Sequence, residues 1–330
     1  MAAPGPQPDG TAESRADAAV YQVARGLPQR PVRLGRVLRL GRAPAKLNLA
    51  LELTGRRANG YHELASISQT VDWSDVVGVD PVPLSRPGEP CRLLVYGPQA
   101  SHVPHGPDNI LLKTVRVLRE RGLAEELGRV VLEKRIPTQS GLGGGSADAA
   151  ALIRLAAAGH EPDELLDAAL ACGADVPFAL KGGAALVTGI GEELSPLPPL
   201  RPSLFLVALL ASISTAQAYA AVQPGDFRDG SRINELAGKL REGVRPDHSL
   251  FGSDLLPAAL RVSPQLRQRW DALRAATPGV SWAMTGSGGA FFTPIDELAS
   301  AADTARAVAK ACPGALIRAV LTESGWPSPT

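Results

Sequence analysis

The sequence predicts an α+β protein, with strands and helices mixed along the chain. Two kinds of hydrophobic spacing support this class. Several short runs are apolar at alternate positions, as in strands, and other runs are apolar every three or four positions, as in helices. These elements do not follow the strict strand–helix–strand order of a parallel α/β sheet. Apolar residues make up 45% of the chain and aromatic residues only 4%, so Ala, Leu and Val must build the core.

The first predicted strand lies in 46–53, where leucines at alternate positions would bury one of its two faces. An Asn-Gly pair at 59–60 signals a turn. The helix predicted over 107–122 is capped by Asp108 or Asn109. The other predicted elements are strands at 67–80, 91–98 and 128–137, helices at 146–159 and 162–173, hairpin-like pieces at 174–194, a strand at 203–213, largely helical structure at 231–275, a strand–glycine loop–strand unit at 280–295, a helix at 297–311 and a strand at 314–325.

A proline-rich stretch at 196–202 is typical of a linker and divides the predicted ordered chain in two. We expect an N-terminal domain over 37–195 and a C-terminal domain over 203–330. Residues 1–36 are rich in Pro, Gly, Ala and charged side chains, and they lack the apolar core of a secretory signal. They are therefore predicted to form a mostly disordered N-terminal extension, or to result from an upstream start site.

The charge balance excludes a broadly basic protein, because 34 Lys and Arg residues face 33 Asp and Glu residues. We therefore expect no nucleic-acid partner. The longest apolar run, 204–211, is too short to span a bilayer, so no membrane association is expected. Cys91, Cys172 and Cys312 are far apart and show no zinc or disulfide spacing, which predicts reduced thiols and a cytoplasmic protein.

The most informative stretch is the loop PTQSGLGGGSADAAA at 137–151, which joins a predicted strand to an alanine-rich helix. Glycine fills most of its centre, and glycine lets a backbone approach a ligand closely. The first turn of a helix adds unpaired N–H groups and the positive end of the helix dipole. Together these features predict an anion site, and phosphate is the usual ligand of such a site.

Two better-known phosphate loops do not fit this stretch. A Walker A loop needs a Lys before Ser146, and a dinucleotide-binding loop needs Gly at that position. A flexible glycine linker is the plain alternative, but such linkers are rarely placed between a strand and a helix. A second glycine loop, TGSGGA at 285–290, could close on the same ligand, although it would also fit a tight hairpin turn.

Five residues outside the glycines are candidates for chemistry, and each has a structural alternative. Lys46 would otherwise snorkel from a strand edge. Asp175 would otherwise cap the turn that follows a helix. Asp148, at the start of the loop helix, is expected to complement the helix dipole. Tyr61 and His62 would bind a base together, or they are simply a core ring and a surface imidazole.

Five separated motifs together resemble the GHMP small-molecule kinases. APAKLNLALELTGRRANGYHEL (43–64) resembles the N-terminal motif, RIPTQSGLGGGSADAAA (135–151) the ATP loop and CGADVPFAL (172–180) the catalytic segment. MTGSGGAFF (284–292) resembles the C-terminal glycine loop, and FGSDLLPAAL (251–260) extends the match. The resemblance implies the two-domain GHMP kinase fold, with the active site in the cleft between the domains.

The first motif combined with GADVPF separates the chain from mevalonate, homoserine and galactose kinases. It implies a small-molecule substrate in which methylerythritol is linked to cytidine diphosphate. ATP would phosphorylate its 2-hydroxyl, with Mg²⁺ as cofactor, in the non-mevalonate route to isoprenoids. Two alternatives remain open: a kinase of another small alcohol, and a non-catalytic nucleotide-binding relative. We expect a monomer or a homodimer.

The resemblance also implies roles for individual residues. Asp175 would accept the proton of the substrate hydroxyl, Lys46 would polarise that hydroxyl, and Ser146 would contact the metal. The residues implied to bind ATP are Pro137, Thr138, Gln139, Ser140, Gly141, Leu142, Gly143, Gly144, Gly145, Ser146, Ala147 and Asn109. The residues implied to bind the substrate are Asn48, Tyr61, His62, Lys134, Thr215 and Tyr219.

The sequence departs from the family pattern at a few positions. Gln139 and Ser140 replace a pair of small Gly/Ala residues, and Ser253 replaces an asparagine. Ala147 replaces a second serine, which leaves Ser146 as the hydroxyl near the phosphates or the metal. None of these changes removes a proposed catalytic group.

Overall fold

A computed structural model describes most of the chain beyond its N-terminal segment. The disordered extension predicted for 1–36 lies outside the described residues. Those residues are 39–80, 91–104, 106, 108–124, 127–200 and 202–325.

The helices and strands alternate irregularly along the described chain. The helices are α1 (Ile110–Glu120), α2 (Gly144–Ala156), α3 (Pro162–Cys172), α4 (Val176–Lys181), α5 (Thr215–Ala220), α6 (Ser231–Arg241), α7 (Leu256–Val262), α8 (Pro264–Ala276) and α9 (Leu298–Ala311). The strands are β1 (Arg39–Arg56), β2 (His62–Asp80), β3 (Arg92–Tyr96), β4 (Arg129–Glu133), β5 (Ala184–Thr188), β6 (Glu193–Leu197), β7 (Leu204–Ala211), β8 (Gly252–Ser253), β9 (Ala283–Met284), β10 (Gly289–Ile295) and β11 (Leu316–Leu321).

The described strands form two sheets. The first has the order β3-β4-β2-β1-β8, and β5 and β6 form a hairpin that pairs with β2 through β5. The second is antiparallel and has the order β11-β7-β10-β9. Most pairs in the first sheet are antiparallel, while β3–β4 and β1–β8 are parallel. Helices and sheets are therefore combined without a repeating βαβ unit, and the α+β prediction is confirmed.

The long antiparallel hairpin of β1 and β2 is the centre of the first sheet. The prediction that β1 buries only one face is wrong, because every residue in 43–53 is buried. Leu47 and Leu49 join an apolar cluster with Phe205 and Phe292 of the second sheet. Helix α2 packs against the same hairpin, and its alanines are buried there and between the neighbouring helices. The alternation of leucines with polar residues is present, but the other face, which includes Lys46, Asn48 and Glu52, is covered as well.

The helices around the glycine loop start close to where the sequence places them. Helix α1 begins after Asn109, whose side-chain oxygen accepts a hydrogen bond from the Leu111 N–H, as the predicted cap requires. Helix α2 begins at Gly144, two residues before the predicted start, because Gly143 adopts a left-handed φ of 68° and occupies the cap position.

Three short elements were not predicted. Helices α4 and α5 are each only six residues long, and β8 lies within a stretch that was predicted to be helical. Strand β8 exists because it pairs in parallel with β1 far away in the sequence, at Ala50↔Gly252 and Leu51↔Ser253. A pairing of this kind has no local signal.

One apolar core crosses the predicted domain boundary. The cluster that contains Leu47 and Leu49 also contains Phe205, Ile233 and Phe292 from beyond the predicted linker. The N-terminal and C-terminal segments are therefore packed directly on one another, and the site described next lies where they meet. The exact domain limits, 37–195 and 203–330, stay a prediction.

Candidate active site

A cleft of about 960 Å³ opens where the glycine loop meets the second sheet. Almost all of the predicted site residues line it, although they come from distant parts of the sequence. The exceptions are Leu142 and Ala147, whose side chains are buried in the core beneath the loop. These two residues support the loop from below. Their predicted contact with ATP can come only through the backbone.

The N-terminus of α2 points into this cleft. The loop before it turns sharply, with positive φ angles at Gln139, Gly141 and Gly143. Gly143 has no room for a side chain, because a Cβ atom would lie 2.9 Å from Cγ of Lys46. Gly144 and Gly145 begin the helix, so their N–H groups belong to the first turn, which has no intrahelical acceptor. The arrangement has the backbone geometry of the anion site that the glycine pattern predicts, and its ligand stays a prediction.

The two predicted glycine loops are in direct contact. The Ala290 N–H donates to the Ser140 carbonyl at 3.2 Å, and a Cβ on Gly141 would lie only 2.4 Å from the Thr285 carbonyl oxygen. The Ile213 N–H donates to the Gln139 carbonyl at 3.2 Å. The first loop is thus held between its own helix and the end of the second sheet. This explains why the second loop also needs small residues.

Lys46 and Asp175 face each other across the cleft, with Lys46 Nζ 3.7 Å from Asp175 Oδ2. The Lys46 ammonium also donates to Oδ1 of Asn48, whose amide nitrogen donates to Ser66 and Ser68. Those two serines orient the amide so that its oxygen faces the ammonium. Lys46 is buried, which removes the interpretation that it snorkels from a strand edge.

Asp175 precedes α4, but its side chain makes no capping hydrogen bond to that helix. The alternative that Asp175 caps the turn after a helix is therefore wrong. The Asp175 side chain is 50% exposed, so its carboxylate is open to a ligand in the cleft while it faces Lys46. An ammonium and a carboxylate therefore face each other in the same cleft as the N-terminus of α2.

A cluster of rings lies at the cleft, which Tyr61, His62 and Tyr219 line. His62 lies 5.4 Å from the Tyr219 ring and is stacked at 5.9 Å on Phe227. Burial, with the positive charge of Arg56, lowers the pKa of His62, so the imidazole is neutral at neutral pH. Tyr61 precedes His62 in the chain, lines the cleft as well and is 60% exposed. Sequence reasoning missed Phe227, which no motif marks.

Thr215 lies at the first position of α5 and contacts the second glycine loop. Its hydroxyl is 2.7 Å from the hydroxyl of Ser287. Tyr219 lies on the same short helix, and burial and then the charge of Asp175 raise the pKa of its phenol. Ser287 was not singled out from the sequence, although the glycine loop that carries it was.

Lys134 lies behind the glycine loop in a buried group of charges. Its ammonium donates to Asp75 and to Asp148, at 2.6 Å in each case. Burial alone would lower the pKa of Lys134, but the two carboxylates outweigh it and raise the pKa. The expected role of Asp148 beside the helix dipole is thus accompanied by an ion pair. Asp75 was missed, because β2 contains several polar residues and two other aspartates, so nothing local distinguishes this carboxylate.

Asn109 and Ser146 also line the cleft. Both polar ends of the Asn109 side chain are already used, because its oxygen caps α1 and its nitrogen donates to the Pro104 carbonyl at 2.6 Å. Ser146 is partly exposed in the first turn of α2.

Within the described ranges, no group of three or more His, Cys, Asp or Glu side chains is placed to hold a metal ion. No described helix has the length and apolarity needed to cross a membrane.

Residues 109–183 match the family profile described as the GHMP kinases N terminal domain. This segment contains the glycine loop, α2 and Asp175. The fold is also that of a mevalonate kinase from L. major, which has a TM-score of 0.59, is 17% identical and covers 89% of this chain. The fold and the cleft together define a small-molecule kinase of the GHMP class.

Relatives that match most of the chain identify its family within the GHMP kinases. The 4-diphosphocytidyl-2-C-methyl-D-erythritol kinase of Rhodopseudomonas palustris is 36% identical over 82% of this chain and 93% of its own length. The kinase of the same name from Xanthobacter autotrophicus is 36% identical over 85% of this chain and 97% of its own. A crystal structure of 4-(cytidine 5'-diphospho)-2C-methyl-D-erythritol kinase has a TM-score of 0.66 and 33% identity, covering 86% of this chain and all of that one. The chain belongs to the 4-diphosphocytidyl-2-C-methyl-D-erythritol kinase family.

Proposed function

We propose that this protein transfers the γ-phosphoryl group of ATP to the 2-hydroxyl of 4-diphosphocytidyl-2-C-methyl-D-erythritol, giving the 2-phosphate and ADP. Its relatives in Rhodopseudomonas and Xanthobacter are named as kinases of this substrate. The observation that carries the proposal is the Lys46–Asp175 pair, 3.7 Å apart in the same cleft as the open end of α2. The reaction places this step in isoprenoid precursor synthesis.

Phosphoryl transfer to an alcohol depends mainly on positioning and on stabilisation of charge. The N–H groups at the start of α2 would hold the phosphates of ATP. The substrate 2-hydroxyl would lie between them and Asp175. Its oxygen forms the new bond to the γ-phosphorus, the bond from that phosphorus to ADP breaks, and the hydroxyl proton passes to Asp175. Lys46 would polarise the hydroxyl and balance the negative charge that develops there.

Mg²⁺ is the proposed metal cofactor, and when bound it would neutralise phosphate charge during the transfer. Ser146 is the proposed hydroxyl contact, since it lies in the first turn of α2 and lines the cleft. The other loop residues, from Pro137 to Ala147, are proposed to surround the phosphates through their backbone. Asn109 is proposed to shape the nucleotide site by capping α1.

The ring cluster is the proposed cytidine site. Tyr61 and Tyr219 would enclose the base, and His62 would hydrogen-bond its polar edge. Thr215 and Asn48 are proposed to contact the substrate along the path from the rings to Lys46, because both line the cleft. Lys134 is proposed to act indirectly, since its ammonium is already bonded to two carboxylates.

Turnover with a panel of alcohols tests the function. We expect ATP consumption with the cytidyl substrate and at most weak consumption with free methylerythritol, mevalonate or homoserine, because only the first fills the ring cluster. Preference for mevalonate or homoserine would support a kinase of another alcohol. ATP binding without consumption on any substrate would support a non-catalytic relative.

The catalytic pair is tested by single substitutions. Asp175→Asn should lower kcat by about 10²–10⁴-fold, the usual contribution of a positioned base. A kcat within about tenfold of wild type, or about 1.4 kcal/mol in barrier, would remove Asp175 as the base. Lys46→Ala should lower kcat more than it raises KM. Asp163→Asn, an exposed change on α3, is the matched control and should leave both constants unchanged.

A further inference from the structure

Asp148 contains a carboxylate oxygen that the catalytic scheme does not use. The residue lies near the start of α2, is only 2% exposed and lines the cleft. Its Oδ2 atom accepts a hydrogen bond from Lys134 at 2.6 Å. Its Oδ1 atom is buried and has no hydrogen-bond partner among the described residues. Buried polar atoms without a partner are rare in native proteins and call for a reason.

The second carboxylate of the cluster differs from Asp148 because it is fully bonded. Asp75 accepts from Lys134, and its other oxygen accepts from the N–H groups of Arg135 and Ile136 at 2.5 and 2.7 Å. One ammonium is therefore shared by two carboxyl groups. Burial and the neighbouring Asp75 raise the pKa of Asp148, the one with an unused oxygen, well above its usual range, although Lys134 opposes the shift.

This group of buried polar side chains lies against the phosphate loop. A Cβ on Gly144 would be 3.1 Å from Nζ of Lys134, and Lys134 and Asp148 both line the cleft themselves. The proposed function brings the phosphates of ATP to the same helix end. A divalent cation at this point would attract both the phosphates and the Asp148 carboxylate, and its binding would release the proton that the raised pKa of Asp148 favours.

We propose that Asp148, through Oδ1, is the carboxylate ligand of the divalent cation that enters the cleft with the nucleotide. Mg²⁺ is usually bound by one or two protein carboxylates together with substrate phosphates and water, so a single carboxylate at this point suffices. Lys134 and Asp75 are positioning residues, because they hold the other Asp148 oxygen. The proposal rests on the proposed function only in requiring nucleotide phosphates at the glycine loop.

Binding of Mn²⁺ in place of Mg²⁺ tests the proposal without turnover. Electron paramagnetic resonance measures free and bound Mn²⁺ in the presence of a non-hydrolysable ATP analogue. Asp148→Asn keeps the shape of the side chain and should weaken Mn²⁺ binding by about tenfold or more, as loss of metal-site groups does. Asp163→Asn, on the exposed side of α3, should leave Mn²⁺ binding unchanged. Unchanged Mn²⁺ affinity in Asp148→Asn would overturn the proposal.

The same variant should show no weakening when metal is absent. In EDTA, the analogue should bind Asp148→Asn at least as tightly as it binds wild type, because no metal is present for Asp148 to hold. If Asp148 instead donates a proton to the phosphates, the neutral Asn would retain the Mn²⁺ affinity, and that outcome counts against the proposal. Far-UV circular dichroism establishes that the variant is folded.

A measurement on the wild-type protein keeps the proposal testable if the variant does not fold. When hydrogen peroxide and ascorbate are added, Fe²⁺ bound with the analogue reduces the peroxide to hydroxide and a hydroxyl radical, ascorbate returns Fe³⁺ to Fe²⁺, and the radicals cut the backbone next to the metal. We expect cuts at 146–149, found by mass spectrometry, and cuts confined to other segments would contradict the proposal. Turnover of the cytidyl substrate is scored separately. If Mn²⁺ binding depends on Asp148 but the cytidyl substrate is not turned over, only the proposed function is wrong. If the substrate is turned over but Mn²⁺ binding does not depend on Asp148, only this inference is wrong.

Discussion

Gly141→Ala tests whether the contact between the two glycine loops supports the site. Gly141 has a φ of 83°, and an added Cβ would lie 2.4 Å from the carbonyl oxygen of Thr285 and 3.2 Å from the N–H nitrogen of Gly288. Both neighbours are backbone atoms, so they cannot rotate out of the way. The substitution therefore adds strain within the first loop and a clash with the second.

The two contributions can be sized separately. A side chain in the left-handed region costs about 1–2 kcal/mol, and overpacking a tight contact costs about 1–3 kcal/mol. We expect Gly141→Ala to lower the free energy of unfolding by about 2–5 kcal/mol if the loops stay in contact. If they separate instead, part of this free energy appears as weaker binding of an ATP analogue, at about tenfold for each 1.4 kcal/mol.

Chemical denaturation of the ligand-free protein measures the first effect, and Gly145→Ala is the matched control. A Cβ on Gly145 would meet only Cγ2 of Ile110, at an ordinary 3.6 Å, and the residue lies in the first turn of α2. Alanine there should be neutral or stabilising by about 0.5–1 kcal/mol. Equal stability of the two variants, with unchanged analogue affinity in Gly141→Ala, would refute the proposed contact between the loops.

Three further predictions concern other parts of the cleft. Burial lowers the pKa of His62, so its ring should stay neutral through pH 7. KM for the cytidyl substrate should therefore rise only below about pH 6.5, where an ordinary histidine is already half charged. His62→Gln should remove this pH dependence of KM. Ser253→Ala should lower stability by about 1–3 kcal/mol in urea unfolding, because the Ser253 hydroxyl donates to the Gly286 carbonyl of the second loop. Lys134→Met should lower the free energy of unfolding by about 3–5 kcal/mol, because it leaves two buried carboxylates without their ammonium. A smaller loss of stability together with weaker substrate binding would favour the direct contact of Lys134 with the substrate that the resemblance implies.

Much of the site could be predicted from the sequence because its parts are local. Glycines at 141 and 143 mark a backbone with positive φ, and the alanines after them mark a helix that packs closely. Asn109 marks a helix start because a side-chain cap depends only on the next two residues. The motifs around Lys46 and Asp175 predict a catalytic role for both residues, although no local pattern shows that they meet.

Other parts of the site could not be predicted, because they depend on segments that meet only after folding. Asp75 looks like one carboxylate in a strand until β2 is placed beside Lys134. Phe227 joins the ring cluster through His62, although its own segment has no motif. The start of α2 was misplaced by two residues because Gly143 was not expected to serve as its cap.

The sequence alone therefore determined the chemical class of the site: a glycine loop before a helix, an ammonium and a carboxylate. Only the tertiary structure decided which charges meet. Lys46 and Asn48 point into the cleft because irregularities in the β1–β2 register flank them, and a shift of one residue would turn both side chains to the opposite face. The same packing pairs Lys46 with Asp175 and buries Lys134 between two carboxylates. The physical reason is that charge interactions depend on distance and burial, which the order of residues in the chain does not contain.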